Sequence, residues 1–465
     1  MTTVLVRPKV AVSVVFVLGL FMSIMDTAIV NVALPSIGRE FGVAPTAVGA
    51  VSVGYLVSLA VVIPASGWLG DRFGRTRVML GAIVLFTVAS ALCGLAGSYA
   101  ELVGFRVLQG IGGGMLTPVG MAMLFQAFPP AQRMRASAIL TIPTTVAPAA
   151  GPLLGGVLVD SLSWRWVFLV NIPVGIIAIV YGLVFLRDTE TPGAGRFDLR
   201  GFLLSGLGFA ALMYGVSAGP EQGWSDPLIL ALLAVGVVLL VALVLTQQRT
   251  RAPLLALRLF GDRLFRSMTA VMVLTMAAFL GVIYLAALFL QDGLGVSPLV
   301  SGLSTFPEAL GIMAGSTVAG RLVHPRLGPR WTSVLALALA AVSMASLTLI
   351  TSTAGLWPMR IMLFVLGIAI AHIFVPAQAT AFTNIARADT GAASTLFNAL
   401  RQLGSALGVA AITTALTLAA RAHDQPGDLY PYHVAFLVAA LIAVAGALVA
   451  LTIRSAAAGP RRSAS

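Results

Sequence analysis

The chain has 465 residues, 59% of them hydrophobic and only 9% charged, against the about 25% charged residues usual in soluble domains. That composition excludes a soluble enzyme or binding module, because so much apolar surface could not be kept from water. It points to an all-α polytopic membrane protein. The formal net charge of +12 would by itself suit a nucleic-acid partner, but the placement of the basic residues, given below, excludes that too.

Apolar runs of about 20 residues, each able to cross a hydrocarbon core of about 30 Å as a helix, predict fourteen spans. In chain order they cover 10–35, 46–67, 77–97, 99–124, 135–159, 165–187, 200–218, 227–246, 265–290, 299–321, 330–351, 356–384, 394–419 and 432–454. The start, with Arg7 and Lys9 ahead of an apolar run, has the look of a signal peptide. The run continues through Asp26 and Asn31 without a small-residue cleavage site, so it reads as a retained first helix. The longest polar interruptions are 187–200 and 247–266, the second with five arginines; 420–432 is the longest connection on the opposite side. With these spans, 22 of the 28 basic residues, from Arg7 and Lys9 to Arg461 and Arg462, fall on one side. Arg39, Arg165 and Arg421 fall on the other, and Arg106, Arg360 and Arg401 lie within spans. This is the positive-inside asymmetry, and it predicts a multi-pass protein of the inner (cytoplasmic) membrane with both termini in the cytoplasm. The single cysteine, Cys93, allows neither an internal disulfide nor a cysteine-based metal site.

The run Gly67-Trp68-Leu69-Gly70-Asp71-Arg72-Phe73-Gly74-Arg75 after the second span has a weak echo, Gly320-Arg321-Leu322-Val323-His324-Pro325-Arg326-Leu327-Gly328, after the tenth. Arg106 and Arg360 likewise sit a few residues into the fourth and twelfth spans. The second half therefore repeats the first at an offset of eight spans. Two helices are left over as an insert. The predicted organisation is a six-helix bundle over 1–190, a two-helix insert with linkers over 191–260, and a second bundle over 261–465. Repeated halves around a midplane site are the construction of secondary transporters.

Several residues carry candidate chemistry. Asp26 is an acid in the first span, where ionisation costs about 2.5–3.5 kcal/mol on insertion scales; such a group normally faces a cavity and works there, though capping a neighbouring helix would also retain it. Desolvation raises its proton affinity and a nearby cation lowers it, which makes a tunable proton carrier. Glu308 lies nine residues into the tenth span, about 14 Å deep, and is a second candidate for protonation or for a cationic cargo; Pro307 before it removes a backbone donor and is expected to open the helix locally. Arg106 needs an anionic or carbonyl partner. Pro143, Pro148, Gly151, Pro152, Gly155 and Gly156 crowd the fifth span as a hinge or close-packing element. His372 could titrate, yet a lone mid-span histidine more often hydrogen-bonds and packs. Aromatic and methionine side chains such as Phe21, Met22, Tyr55, Met121 and Phe125 are candidates to line an adaptable pocket, with lipid contact or packing as the plainer role. The sole lysine, Lys9, rules out a GxxxxGK[ST] phosphate loop, and Gly110, Gly112, Gly113 and Gly114 sit inside an apolar helix, as packing.

These residues resemble a known family over essentially the whole chain: the major facilitator superfamily and, within it, the 14-span drug:proton antiporters. Met25-Asp26-Thr27-Ala28-Ile29-Val30-Asn31-Val32-Ala33-Leu34-Pro35 is similar to that subfamily's first-helix signature. Gly67 to Arg77 resembles the superfamily's loop signature, Arg106-Val107-Leu108-Gln109-Gly110 its fourth-helix arginine motif, and Ala150-Gly151-Pro152-Leu153-Leu154-Gly155-Gly156 the fifth-helix motif of exporters. Trp164-Arg165-Trp166-Val167-Phe168 with Asn171-Ile172-Pro173 is similar to the sixth-helix entrance. The resemblance implies the major facilitator fold, two six-helix bundles plus two inserted helices. It implies that Arg106 takes part in proton coupling by switching the proton affinity of a nearby acid, and that Asp71, with Gly67, Arg72, Gly74 and Arg75, latches the two halves in the outward-facing state.

The expected protein is thus a proton-coupled exporter of small amphipathic or cationic drugs working by alternating access. It is no enzyme and has no cofactor or metal beyond the coupling proton; its partners are drugs, protons and lipid, and it is monomeric. Asp26, Asn31, Tyr55 and Glu308 are the candidate cargo contacts. The rival readings are a secondary exporter of one endogenous metabolite, lipid or siderophore, and a membrane-embedded enzyme or scaffold, which has no catalytic dyad here.

Overall fold

The structure is a computed structural model that describes residues 8–43, 48–129, 132, 135–136, 139, 147, 150–151, 154–159, 161–187, 195–247, 250, 254–422 and 428–453. A chain this apolar has little choice of backbone: in lipid every N–H and C=O must be satisfied internally, which leaves the helix. Among the described residues there are thirteen helices of fifteen residues or more. They are α1 (Pro8–Phe41), α2 (Ala50–Phe73), α3 (Arg75–Leu95), α4 (Tyr99–Ala127), α5 (Asn171–Phe185), α6 (Leu199–Gln222), α7 (Pro227–Gln247), α8 (Arg263–Leu288), α9 (Pro298–Val318), α10 (His324–Ser346), α11 (Leu356–Ala381), α12 (Thr390–Ala422) and α13 (Tyr430–Leu451). One short turn, Trp166–Leu169, leads into α5. Twelve stretches are long and apolar enough to cross a bilayer, and the 50-residue one, Val300–Leu349, contains both α9 and α10. Residues of the predicted fifth span that are described, such as Gly151 and 154–159, are helical; Pro143, Pro148 and Pro152 lie outside the described residues.

Polar caps set the helix starts. Ser98 accepts from the Glu101 N–H while the Glu101 carboxylate accepts from Gly97, and Asp198, Asp262 and Ser297 cap α6, α8 and α9 in the same way. The predicted loop Gly67–Arg75 is mostly not a loop. Gly67, Gly70, Asp71 and Arg72 form the last turns of α2, and only Gly74, with φ 93°, breaks the helix before α3. In the echo, Gly328 with φ 70° is the corresponding non-helical residue. Both positions are conformations that a side chain would strain.

Backbones approach closely at glycines. A Cβ on Gly114 would sit 2.6 Å from the Leu59 carbonyl oxygen of α2, and one on Gly112 would sit 2.8 Å from the Phe86 nitrogen of α3. The glycine cluster of α4 is packing, as its sequence suggests. The second half reuses the device: Gly311 and Gly315 of α9 meet α11, and Gly404 and Gly408 of α12 meet α8. Helices α6 and α7 pack on each other through Gly208, Gly215 and Gly236. Phe209 and Met213 of α6 cover the seam between Ala60 and Ile63 of α2 and Ala399 of α12, so the pair touches both halves, while α7 is largely exposed.

Candidate functional site

Asp26 lies on α1, Ser90 on α3, Arg106 and Gln109 one turn apart on α4, and Asn171 at the first residue of α5. All five are buried. The Asp26 carboxylate accepts from Arg106 Nη1 at 2.5 Å through Oδ2, and from Gln109 Nε2 at 2.8 Å and Asn171 Nδ2 at 3.0 Å through Oδ1. Arg106 also donates to Gln109 Oε1 at 2.7 Å and, through Nε, to the Val51 carbonyl at 3.2 Å. Ser90 Oγ accepts from Gln109 and Asn171 and donates to the Phe168 carbonyl. The guanidinium stacks 4.3 Å from the Tyr55 ring, whose hydroxyl bonds Ser23 Oγ at 2.9 Å. A buried charge survives only when paired and fully hydrogen-bonded; here three donors from two other helices meet the carboxylate.

Sequence reasoning expects Asp26 and Tyr55 to face a cavity. Both are 0% exposed here: the Arg106 head lies against Asp26, and the Tyr55 ring covers Arg106. Asn31 is carried on the same helix, and its side chain lies outside the described residues. Gln109 and Asn171 were embedded in recognisable motifs without being singled out; the available signal was Gln109's i+3 spacing from Arg106, which puts both on one helix face. In the fifth span, Gly151 and Gly155 close-pack on α1: Cβ atoms there would lie 2.6 Å from Ala28 Cβ and 3.0 Å from Ile29 Cγ1. Gly156 faces open space.

Glu308 is 5% exposed and has no hydrogen bond or ion pair to any described residue. Its backbone carbonyl abuts Gly367 of α11, and Pro307 bends no break into α9, which is continuous. Arg360 donates to Ser304 Oγ at 3.2 Å and stacks on Trp357. His372 Nδ1 bonds the Ile368 carbonyl of its own helix at 2.7 Å. Among the described residues no group of three or more His, Cys, Asp or Glu could hold a metal ion.

The two halves meet at their arginine-rich ends. Asp71 Oδ1 pairs with Arg75 at 2.7 Å, and both lie beside Gly391 in the first turn of α12, whose Cβ would be 3.4 Å from Asp71 and 3.0 Å from Arg75. That is an acid at the positive end of a helix. A Cβ on Gly67 would sit 2.7 Å from Thr395 Oγ1, Ser66 and Thr395 hydroxyls are 3.4 Å apart, Asn398 donates to Met121 Sδ at 3.2 Å, and the Phe125 and Phe382 rings are 4.8 Å apart. Arg72 is exposed.

Two helical halves meeting in this way, with a buried ion pair in one, define a multi-pass membrane protein of the secondary-transporter class. The Major Facilitator Superfamily profile matches residues 16–409, and the chain belongs to that superfamily. It is 37% identical over 399 residues, 84% of this chain and 83% of the relative, to an Escherichia coli O81 (strain ED1a) protein provisionally named multidrug resistance protein MdtD. The protein of the same provisional name from Pectobacterium carotovorum subsp. carotovorum (strain PC1) is 34% identical over 412 residues, 88% of each chain. Among solved structures, the human organic anion transporter MFSD10 (TETRAN) superposes with TM-score 0.70 at 16% identity, covering 96% of this chain and 100% of that one. The proton:xylose symporter XylE gives 0.64 at 16%, covering 95% and 94%. At that identity these two speak for the fold alone.

Proposed function

We propose that the chain is a proton-coupled multidrug exporter of the cytoplasmic membrane, with both termini inside, working by alternating access. The kinship with the MdtD proteins supports the drug cargo. The observation that carries the coupling is the walled-in carboxylate of Asp26, held by a cation and two amides that come from other helices. Helices that move relative to one another can make and break such contacts. In the conformation described here the arginine-rich ends are in contact and Arg106 pairs with Asp26. When the latch by Asp71 and Gly67 opens, α4 shifts against α1, Arg106 falls back on Gln109 and the Val51 carbonyl, and the freed carboxylate takes a proton. Cargo and proton then compete. One charge crossing 100 mV contributes about 2.3 kcal/mol, so one or two protons support substantial accumulation.

Proteoliposomes with a pH-sensitive dye inside test this. Addition of a lipophilic cation such as ethidium should drive proton movement opposite to the cargo. Cargo movement without proton flux would end the coupling claim.

A further inference from the structure

Arg401 is a further cation within a membrane-spanning helix, and neither the latch nor the Asp26 cluster uses it. It sits eleven residues into α12, about 16 Å from the arginine-rich end. At 100° per residue, Asn398, Arg401 and Ser405 share a face of α12. Asn398 on that face reaches Met121 of the other half, and Gly404 and Gly408, next around, pack on α8. The exposed Leu407 and Leu418 point to the opposite side. Arg401 therefore lies between the face that reaches the first half through Asn398 and the face that packs on α8, one turn deeper than Asn398. Asn398 is 2% exposed and positions it: its Oδ1 accepts from Arg401 Nε at 3.3 Å, while its Nδ2 is committed to Met121 and the Ser394 carbonyl. Among the described residues the two terminal nitrogens have no acceptor, and no carboxylate pairs with them. By contrast Arg106 has its acid, Arg75 has Asp71, and Arg258 has Asp389.

An intramembrane guanidinium is retained when it has a partner, and its planar fork matches a carboxylate, sulfonate or phosphate in two parallel hydrogen bonds. We propose that Arg401 is a cargo-binding residue, and that the exporter accepts amphipathic molecules carrying an acidic group, which docks on the Arg401 fork while the apolar body lies along the methionine and phenylalanine side chains of the seam. The inference rests on the export reading above and names its cargo class.

The test uses full-length protein in vesicles with a matched pair of dyes: a carboxylate-bearing rhodamine and its methyl ester, which lacks the acid. Wild-type protein should move both, and the ratio of acid to ester transport should fall about tenfold in Arg401→Gln, the scale of one lost charge-assisted contact of about 1.4 kcal/mol. Arg401→Lys should recover part of that ratio. An unchanged ratio in Arg401→Gln, an equal fall for both dyes, or a wild-type protein that moves the ester alone would each overturn the proposal. In the last two cases ester transport coupled to protons would leave the export reading intact; loss of transport of both dyes by wild-type protein would count against export itself.

Discussion

The two halves place an arginine at matching positions and surround it differently. In the first half Arg106 donates to the backbone of α2 at Val51 and is neutralised by Asp26. In the second half Arg360 reaches α9 at Ser304, fifty-six residues earlier against fifty-five for Val51, but pairs with no acid among the described residues. Glu308, an acid buried on α9 of that half, has no hydrogen bond or ion pair to any described residue. Duplicated architecture thus carries a closed charge circuit on one side and, on the other, Glu308, Arg360 and Arg401 with no ion pair among the described residues. The first arrangement can store a proton's worth of switching. The second leaves charges free for other partners.

Substitutions should break this contrast in graded fashion. Asp26→Asn removes the only titratable end of the circuit and leaves a buried guanidinium without its counter-ion; coupled export should fall to background, at least tenfold, in a resistance assay in an efflux-deficient host, with the protein still inserted. Arg106→Lys keeps the charge but loses the fork that serves Asp26, Gln109 and Val51 together, so export should drop severalfold rather than vanish. Gly67→Ala places a Cβ against Thr395 and should shift the protein away from the latched conformation by about 1–3 kcal/mol, read as faster alkylation of cysteines introduced along the seam. Glu308→Gln should weaken resistance to cationic compounds alone, with neutral ones unaffected. Arg360→Gln should have the smallest effect on coupling, since Arg360 pairs with no acid among the described residues.

A further test concerns the far end of α1. Glu40 accepts from Arg165 at 2.6 Å and from Trp164, and these hydrogen bonds, Arg165 foremost, hold its carboxyl below the ordinary carboxylate value of 4.5. A depressed folded-state pKa stabilises above the unfolded value and is lost as pH falls through the folded one. Wild-type protein should therefore melt above Glu40→Gln at neutral pH, by a small margin because the pair is half-exposed, and the gap should close as pH drops below 4.5.

Much of the fold was legible because lipid enforces it. The thirteen long helices among the described residues could be read from run length alone. What the sequence hid was tertiary. Asp26 and Arg106 are 80 residues apart, and nothing in either neighbourhood says that they touch, still less that Gln109 and Asn171 complete the shell. The signature Gly67–Arg75 read as a loop because of its glycines and charges, whereas two of those glycines serve helix contacts and only Gly74 turns the chain. Arg401 looked like one more basic residue until the helix face on which it sits was known.

The central claim is that Asp26 exchanges a proton against cargo. Adding a transported dye to purified protein in weakly buffered detergent solution reads this directly. Wild-type protein should release protons in proportion to dye bound, and Asp26→Asn should bind dye with no release. Equal proton release from both proteins would contradict the account.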